Sequence, residues 1–316
     1  MRACQYTNGV TAKTLIGKLE DSIALNAAAT APDKLLLAKD QLVIEVLSAA
    51  LNPADYKMPE FDWFGRLFGL GKEAQPGLDF SGRIVGKHVL NTTYSEGQHV
   101  FGSLTKASKY GTLGELIVAS TSELAALPDG IGADQAAALG TSAGIAYKSL
   151  LSGGIKPGCH IFINGGSGGV GTYSIQFAKL MGAKVTTSTS TPNVDLRSNV
   201  GMPESLYDQC HSFLKSDGTF VQVAADPTAR ATWRTLITMS KSMLMRNRRA
   251  FCFAIDKGAC NDYALIGGWV ADGKIKPVIG RTFGFNDVPQ AYRELCKRRS
   301  RGKIIVHVSE HENDRV

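Results

Sequence analysis

Glycines crowd one short stretch of the 316-residue chain in a pattern that suits phosphate binding. Residues 164–171 read NGGSGGVG, in which Gly166, Gly168 or Gly169, and Gly171 fit a spacing like G-x-G-x-x-G. Such glycines let the chain turn sharply after a strand, let a pyrophosphate approach the backbone and let the next helix pack closely. The start of that helix offers unpaired N–H groups to an anion. The alternative is a tight turn without a ligand. The residues predicted to bind a dinucleotide are Gly166, Ser167, Gly168, Gly169, Val170 and Gly171.

The residues after the next predicted strand indicate which dinucleotide the turn would bind. Sites for NAD usually place Asp or Glu at this position, where it bonds the ribose hydroxyls. Here the segment from Thr186 to Asn193 reads TTSTSTPN, and no acid follows until Asp195. Hydroxyls and amides can donate to a 2′-phosphate without repelling it. The sequence therefore favours NADPH held by Ser190 and Asn193, with Lys184 as a weaker candidate, over an ordinary loop rich in Ser and Thr.

The turn lies inside a predicted βαβ unit. His160–Asn164 (HIFIN) predicts a strand, residues 172–181 a helix and Lys184–Ser188 a second strand. A later strand is predicted over 219–223, and we expect its last residue, Val223, to contact the cofactor. Further strands are predicted at 41–50, 99–101, 114–118, 250–255, 276–279 and 303–308, and helices at 133–151, 203–214, 229–246, 262–272 and 288–296.

Composition and charge exclude several classes of protein. Hydrophobic residues make up 44% of the chain and charged residues 20%, which argues against disorder and fibrous repeats. The net charge of +7 is compatible with a ligand that carries phosphate. Basic clusters at 246–249 and 297–301 lack interleaved aromatic residues, so nucleic-acid binding is not expected.

The cysteines, histidines and apolar runs indicate the cellular setting. Six cysteines and six histidines are scattered without a CxxC pair or zinc-finger spacing, so no metal site is expected. Scattered thiols of this kind indicate a reducing compartment. The sequence holds no run of 18 apolar residues, and its first ten residues lack the apolar region of a secretory signal. We therefore expect a cytoplasmic protein without a membrane segment.

Several segments spread along the chain resemble the zinc-independent medium-chain dehydrogenase/reductases, above all quinone oxidoreductase-like proteins and trans-acting enoyl reductases. The segments that carry the resemblance are LNPADYK (51–57), PGLDFSG (76–82), EGQHVFG (96–102), GTLGE (111–115), residues 127–139, the glycine turn with its lead-in (157–171) and Gly302-Lys303.

The resemblance implies an α/β fold of two domains. A GroES-like β-barrel catalytic domain would hold residues 1–125 and would be completed by residues 275–316. A Rossmann domain, a doubly wound parallel sheet, would occupy residues 126–274 between them. Family members often pair through their Rossmann sheets, so the resemblance implies a monomer or a homodimer.

The resemblance also implies a reaction. Zinc-dependent members place Cys where this chain has Asn52, and Gly-His-Glu where it has Gly77-Leu78-Asp79, so zinc should be absent. NADPH would then pass a hydride directly to a small molecule, an enone, an enoyl group or a quinone, which a synthase acting in trans could present.

Three residues of the segment 51–57 are the catalytic candidates that the resemblance implies. Tyr56 and Lys57 would donate to the developing negative charge, and Asn52 would orient the cofactor. Asp55 could orient Lys57. The alternative is structural for each of them, with Asn52 in a plain turn and Lys57 a surface charge.

The chain departs from the family pattern in two places. Between Ser190 and Tyr207 it is too short by about one and a half βα units, so the Rossmann domain should be truncated around 194–203. Ile145 stands where the family usually has a Thr that contacts the cofactor. Two functions follow: a working reductase with a compact Rossmann domain, or a cofactor-poor relative that acts as a non-redox substrate-binding protein, a cyclase or isomerase, or a scaffold. A gene-model artefact is a third explanation.

Overall fold

The computed structural model of the chain describes residues 1–6, 23–57, 75–105, 110–188, 210–223, 250–253, 260–297 and 300–309, together with residues 233, 237, 238 and 240. The chain divides into two units, of which unit 1 holds residues 1–144 and 257–316 and unit 2 holds residues 145–256. The division falls after residue 144 and before residue 257, whereas the resemblance implies boundaries at residues 125 and 275.

The described ranges contain both strands and helices. The strands are β1 (Ala3–Tyr6), β2 (Ile23–Asn26), β3 (Gln41–Leu51), β4 (Asp79–Lys87), β5 (His99–Ser103), β6 (Leu116–Ser120), β7 (Leu124–Ala126), β8 (His160–Asn164), β9 (Lys184–Ser188), β10 (Thr219–Gln222), β11 (Ala250–Phe253), β12 (Ile279–Gly284) and β13 (Lys303–His307). The helices are α1 (Pro53–Lys57), α2 (Ala133–Ala137), α3 (Gly140–Ser152), α4 (Gly169–Leu180), α5 (Cys260–Ala271) and α6 (Val288–Cys296). Strands β8 and β9 and helix α6 have the predicted bounds.

Unit 1 is built around the long strand β3. Its seven-stranded sheet has the order β12-β13-β3-β4-β5-β7, and β6 pairs with the first half of β3 while β13 pairs with its last residues. β3 is buried along most of its length, which explains its almost continuous apolar sequence QLVIEVLSAAL. Register shifts between β3 and β4 mark bulges, which bend a strand and increase its twist.

Helix α6 closes part of the unit 1 core. Its buried residues Val288, Ala291, Tyr292 and Leu295 recur at the spacing i, i+3, i+4, i+7 of one helix face. They belong to the same apolar cluster as residues of β3, β4, β5 and β13. The amphipathic pattern of this helix was enough to predict both of its ends from the sequence.

Unit 2 contains two parallel ladders in its described residues. β8 pairs with β9, and β10 pairs with β11, where the rings of Phe220 and Phe251 stack with centroids 6.0 Å apart. Helix α4 connects β8 to β9 and buries Tyr173 and Phe177. Alternate residues of β8 are exposed, and Phe162 keeps 56% of its surface accessible. A doubly wound sheet normally covers both faces of its strands, so this part of the sheet is barer than usual.

None of the helices in the described ranges is both long and apolar enough to cross a lipid bilayer.

Candidate functional site

The glycine turn begins where β8 ends. Gly165 has a φ of +83°, a conformation that L side chains rarely adopt, so the chain can reverse at this residue. The Gly166 N–H then donates to the Ser188 carbonyl at 2.9 Å, which ties the turn to the end of β9. Helix α4 starts at Gly169, and its first intrahelical bond runs from Thr172 N–H to Gly168 O at 3.0 Å.

Two glycines of the turn are required by packing. A Cβ on Gly166 would lie 2.2 Å from Thr187 Oγ1, and a Cβ on Gly171 would lie 2.1 Å from the Gly165 carbonyl oxygen. Both distances are far below van der Waals contact, so a side chain at either position would push the helix away from the strand. These two residues would be glycine in a tight βα turn with or without a ligand.

Gly168 is different because the fold does not require a glycine there. Its φ of −77° suits any residue, and the only described atom that a Cβ would approach within 4 Å is the Gly165 oxygen at 3.6 Å. It occupies the N-cap of α4, where Ser, Asp or Asn would normally bond the free N–H groups. Because Gly168 has no side chain that could bond them, the first N–H groups of α4 remain available to an anion.

The end of β9 supports the turn from the neighbouring strand. Ser188 Oγ donates to Asn164 Oδ1 at 2.6 Å and accepts from the Gly165 N–H at 3.2 Å. Lys184 pairs with His160 at the opposite end of the two strands, four residues and roughly 13 Å of extended chain away, so it is badly placed for the predicted phosphate contact.

Three of the predicted cofactor contacts follow strand ends. Ser190 and Asn193 lie outside the described residues. Val223 directly follows β10 and is partly buried. All three stay predictions.

The predicted catalytic residue Asn52 lies in a buried polar cluster of unit 1. Its amide Nδ2 donates to Asp79 Oδ2 at 2.8 Å, and its Oδ1 accepts from Lys303 Nζ at 2.6 Å. Lys303 Nζ also lies 3.1 Å from Asp79 Oδ2. Asn52, Asp79 and Lys303 are 4%, 0% and 3% exposed. A buried charge needs a partner of opposite sign, and this pair supplies one to each member.

Asp79 also caps the start of helix α3. Its Oδ1 accepts from the Thr141 N–H at 2.8 Å and from the Thr141 hydroxyl. A Cβ on Gly140 would lie 2.4 Å from the Asp79 carboxyl carbon, so only glycine lets the helix approach so closely. Because the Thr141 hydroxyl proton points to Asp79, Ser103 must donate in the 2.9 Å bond between the Ser103 and Thr141 hydroxyls.

Asp55 shapes the short helix α1. Its Oδ2 accepts from the Asn52 backbone N–H at 2.7 Å, and its own N–H donates to the Asn52 carbonyl at 3.0 Å, a reciprocal arrangement typical of a helix N-terminus. Burial raises the pKa of Asp55 to about 7, and the Asp79 carboxylate adds to this, while the Asn52 N–H and Lys303 oppose it.

The other two predicted catalytic residues, Tyr56 and Lys57, form the last residues of α1. Their side chains lie outside the described part of the structure, so their roles stay predictions, as does the orientation of Lys57 by Asp55. Helix α1 follows Asn52 directly, so the position of all three candidates depends on the same short segment.

Lys303 and Thr141 were not predicted from the sequence to be site residues, and Asp79 was expected only to replace a metal ligand of the zinc-dependent proteins. Lys303 opens the apolar strand KIIVH, and a lysine at the start of so apolar a strand signals a buried partner. The partner could not be named because Asn52 and Asp79 lie 251 and 224 residues away in the chain.

Comparison with known proteins connects these features to a family. Residues 182–306 match the profile of a family described as zinc-binding dehydrogenases. The trans-enoyl reductase pgmF of Aspergillus terreus is 35% identical over 345 residues, and the alignment covers 94% of each chain. The chain belongs to the medium-chain dehydrogenase/reductase family. It is an oxidoreductase, and the family depends on NAD(P).

Other relatives of this reductase agree with the assignment. The 2-methylene-furan-3-one reductase of Solanum lycopersicum is 27% identical, with 97% of this chain and 79% of that protein covered. The structure of a quinone oxidoreductase from Coxiella burnetii superposes with a TM-score of 0.75 at 21% identity, covering 98% of this chain and 99% of the other. The predicted fold class, a GroES-like domain with a Rossmann-like domain, is thereby confirmed.

The alignment with pgmF also shows a difference in length between the two proteins. The alignment with pgmF runs over 345 residues although the whole chain has 316, so the relative carries residues that this chain lacks. That excess is in keeping with the shortened segment predicted around 194–203, whose position stays a prediction.

Proposed function

We propose that the chain is a zinc-independent reductase that uses NADPH to reduce an α,β-unsaturated carbonyl or a quinone. The observation that carries the proposal is Gly168, an uncapped helix N-terminus with a glycine that packing does not demand. A pyrophosphate would be held there by the N–H groups of Gly169, Val170 and Gly171. When bound, the reduced nicotinamide supplies a hydride.

NADPH is favoured over NADH by the residues after β9. The strand ends at Ser188, whose hydroxyl already supports the turn, and no acid follows before Asp195. Ser190, Asn193 and Val223 are the proposed contacts to the remainder of the cofactor. One relative is named for the use of NADPH. It is the NADPH-dependent alkenal/one oxidoreductase of Arabidopsis thaliana, which is 25% identical with 85% of this chain covered.

The residues of unit 1 that we propose take part in the reaction lie on α1, the helix that follows Asn52. Negative charge develops on a carbonyl oxygen when an enone is reduced, and a donor that meets this charge accelerates the reaction. Tyr56 and Lys57 are the proposed donors. The resemblance implies that Asn52 orients the cofactor. Because the oxygen and the NH₂ group of its amide both bond within the protein, we propose that Asn52 instead orients Tyr56 and Lys57.

The residues at the positions of the zinc ligands do not fit a metal ion. Asn52, Leu78 and Asp79 stand there, and the Lys303 ammonium lies 2.6 Å from Asn52 Oδ1 and 3.1 Å from Asp79 Oδ2. An ammonium in this position would repel a divalent cation. Among the described residues no group of three or more His, Cys, Asp or Glu could hold a metal. We therefore propose that removal of metal with a chelator leaves activity unchanged.

The test is a titration with NADPH and NADH followed by turnover. Nicotinamide fluorescence should show saturable binding that is tighter for NADPH, and NADPH should be oxidised in the presence of an enone, an enoyl thioester or a quinone. Lack of binding at millimolar cofactor would refute the proposal. The alternative, a non-redox binding or scaffold protein, has no support among the relatives described above, which are reductases.

We also propose that a synthase presents the substrate in trans. The relative pgmF is named a trans-enoyl reductase, and this name supports the proposal. An enoyl group tethered to a carrier domain should then be reduced with a lower KM than the same group on a small thiol. Equal KM values for the two would contradict this proposal. Light scattering should decide between the monomer and the homodimer.

A further inference from the structure

A buried ion pair joins three distant parts of unit 1. Lys303 is the first residue of β13, Asp79 is the first residue of β4, and Asn52 lies between β3 and α1. The side chains of Lys303 and Asp79 are 3% and 0% exposed, and their charged atoms lie 3.1 Å apart. A pair this deeply buried gains little net stability over an apolar replacement, so its presence points to a role other than stability.

The ammonium of Lys303 has no hydrogen left for a substrate. It carries three N–H bonds, and three acceptors surround it: the Leu51 carbonyl at 3.2 Å, Asn52 Oδ1 at 2.6 Å and Asp79 Oδ2 at 3.1 Å. Lys303 therefore acts on a reaction only through the groups that it holds.

The pair fixes the orientation of the Asn52 amide. The ammonium can only donate and the carboxylate can only accept, so the amide oxygen must face Lys303 and the NH₂ group must face Asp79. If the amide were flipped, its NH₂ would face the ammonium and its oxygen would face the carboxylate. Each of those contacts is repulsive.

The backbone of Asn52 in turn holds the start of α1. Its backbone N–H and carbonyl both bond Asp55 in the first turn of the helix. Helix α1 has only five residues and ends with Tyr56 and Lys57. A helix so short is not stable by itself, so its position depends on what holds its start.

We propose that Lys303 and Asp79 are positioning residues for the reductase reaction: they lock Asn52 and thereby hold α1, which carries Tyr56 and Lys57. The inference rests on the proposed function. It predicts that neutralising the pair lowers kcat and leaves the binding of NADPH to unit 2 unchanged.

The first experiment needs no variant. In the wild-type protein the ¹⁵N-labelled Lys303 ammonium and the Asn52 side-chain amide should give NMR signals whose hydrogens exchange with water far more slowly than those of surface residues such as Lys274. Exchange as fast as that of Lys274 would overturn the proposal. This measurement does not depend on any reductase activity, so it separates a failure of the positioning role from a failure of the proposed function.

The second experiment uses the double variant Asp79→Asn/Lys303→Met. Both charges are removed together because a lone buried charge would destabilise the fold. We expect kcat to fall by about 10- to 100-fold, since small misplacements of reacting groups have effects of this size. The NADPH dissociation constant should stay within about twofold.

A matched control is Asp272→Asn/Lys274→Met, which removes an ion pair of 2.8 Å whose members are both half exposed. It should leave kcat unchanged. A wild-type kcat in the buried double variant would overturn the proposal. If that variant does not fold, the exchange measurement on the wild type decides.

Discussion

Single residues of the glycine turn separate the demands of packing from those of a ligand. A methyl group on Gly166 would lie 2.2 Å from a neighbouring atom and one on Gly171 would lie 2.1 Å from another, so the fold alone explains both glycines. Gly168 meets no such atom among the described residues. A glycine at an N-cap that leaves the helix uncapped serves the fold less well than Ser or Asp would, and a bound anion accounts for it.

Replacing Gly168 by Asp tests this assignment. The new carboxylate would lie beside the pyrophosphate, and two charges at about 4 Å repel by about 4 kcal/mol near a protein surface. We expect NADPH affinity to fall by at least about 100-fold, while the melting temperature stays the same or rises, because Asp is a good N-cap. Fluorescence titration and thermal unfolding measure the two effects.

The control for this change is Gly168→Asn, which has the same size without the charge. Asn should cap the helix equally well and should weaken NADPH binding much less than Asp does. Equal losses in the two variants would show that bulk rather than charge matters. Unaltered affinity in Gly168→Asp would remove the turn from the cofactor site.

Asp55 makes the stability of the protein depend on pH. Its pKa is raised to about 7 in the folded protein, against about 4 in an unfolded chain. The folded protein therefore favours the neutral Asp55 carboxyl. The stability that this preference adds is fully present below pH 4 and is lost as pH rises through about 7. The free energy of unfolding should fall across this window by up to roughly 4 kcal/mol on account of Asp55.

The variant Asp55→Asn should lose that pH dependence. Its amide oxygen can still accept from the Asn52 N–H, so the start of α1 keeps its bond. Chemical denaturation at pH 5 and pH 8 should show a smaller difference for the variant than for the wild type. The same difference in both proteins would mean that Asp55 does not titrate in this range.

At the scale of elements, helix α5 offers two neighbouring glycines in opposite surroundings. A Cβ on Gly268 would meet no described atom within 4 Å, whereas a Cβ on Gly267 would lie 3.0 Å from Phe101 Cζ. Gly268→Ala should therefore stabilise the protein by about 0.5–1 kcal/mol through helix propensity. Gly267→Ala should lose that gain and destabilise by about 1 kcal/mol through overpacking.

Denaturant unfolding of the two variants measures this difference, and each serves as the control of the other. A stabilising Gly267→Ala would mean that Phe101 moves aside freely.

Elements with local signals were predictable from the sequence, and contacts between distant elements were not. The strand HIFIN, the strand at Lys184–Ser188 and the amphipathic helix α6 have the predicted bounds because their patterns lie within a few residues. The single helix predicted over 133–151 is two helices, α2 and α3. Gly140 and Thr141 lie at the break and are residues typical of a helix boundary, but the prediction did not use them.

The candidate site was predictable only where a motif is contiguous. The glycine turn could be located residue by residue, since its requirements are local. The environment of Asn52 could not, because it is completed by Asp79 and Lys303 from other strands. A single sequence does not show which strands become neighbours, so the ion pair between Lys303 and Asp79 could be identified only from the structure.

At the scale of the whole molecule, the two units differ in how well their strands are covered. β3 in unit 1 is paired along both edges and is mostly buried, while alternate residues of β8 in unit 2 are exposed. Amides of β3 should therefore exchange most slowly with solvent, and amides of β8 and β9 should exchange faster.

NADPH at about 100 times its dissociation constant should slow exchange in β8 and α4 by up to about 100-fold, the factor that ligand linkage allows, and should leave β3 nearly unchanged. Hydrogen exchange measured by mass spectrometry with and without NADPH tests both expectations. Uniform protection in β3 and β8, or slowing confined to β3, would contradict them.

Lys303 has a consequence for the biosynthesis of the protein. A ribosome adds it 224 residues after Asp79, and all of unit 2 is translated in between. Until β13 has been made, residues 48–51 of β3 lack the strand that pairs with them along one edge. We expect chaperones to bind the nascent chain at this unpaired edge.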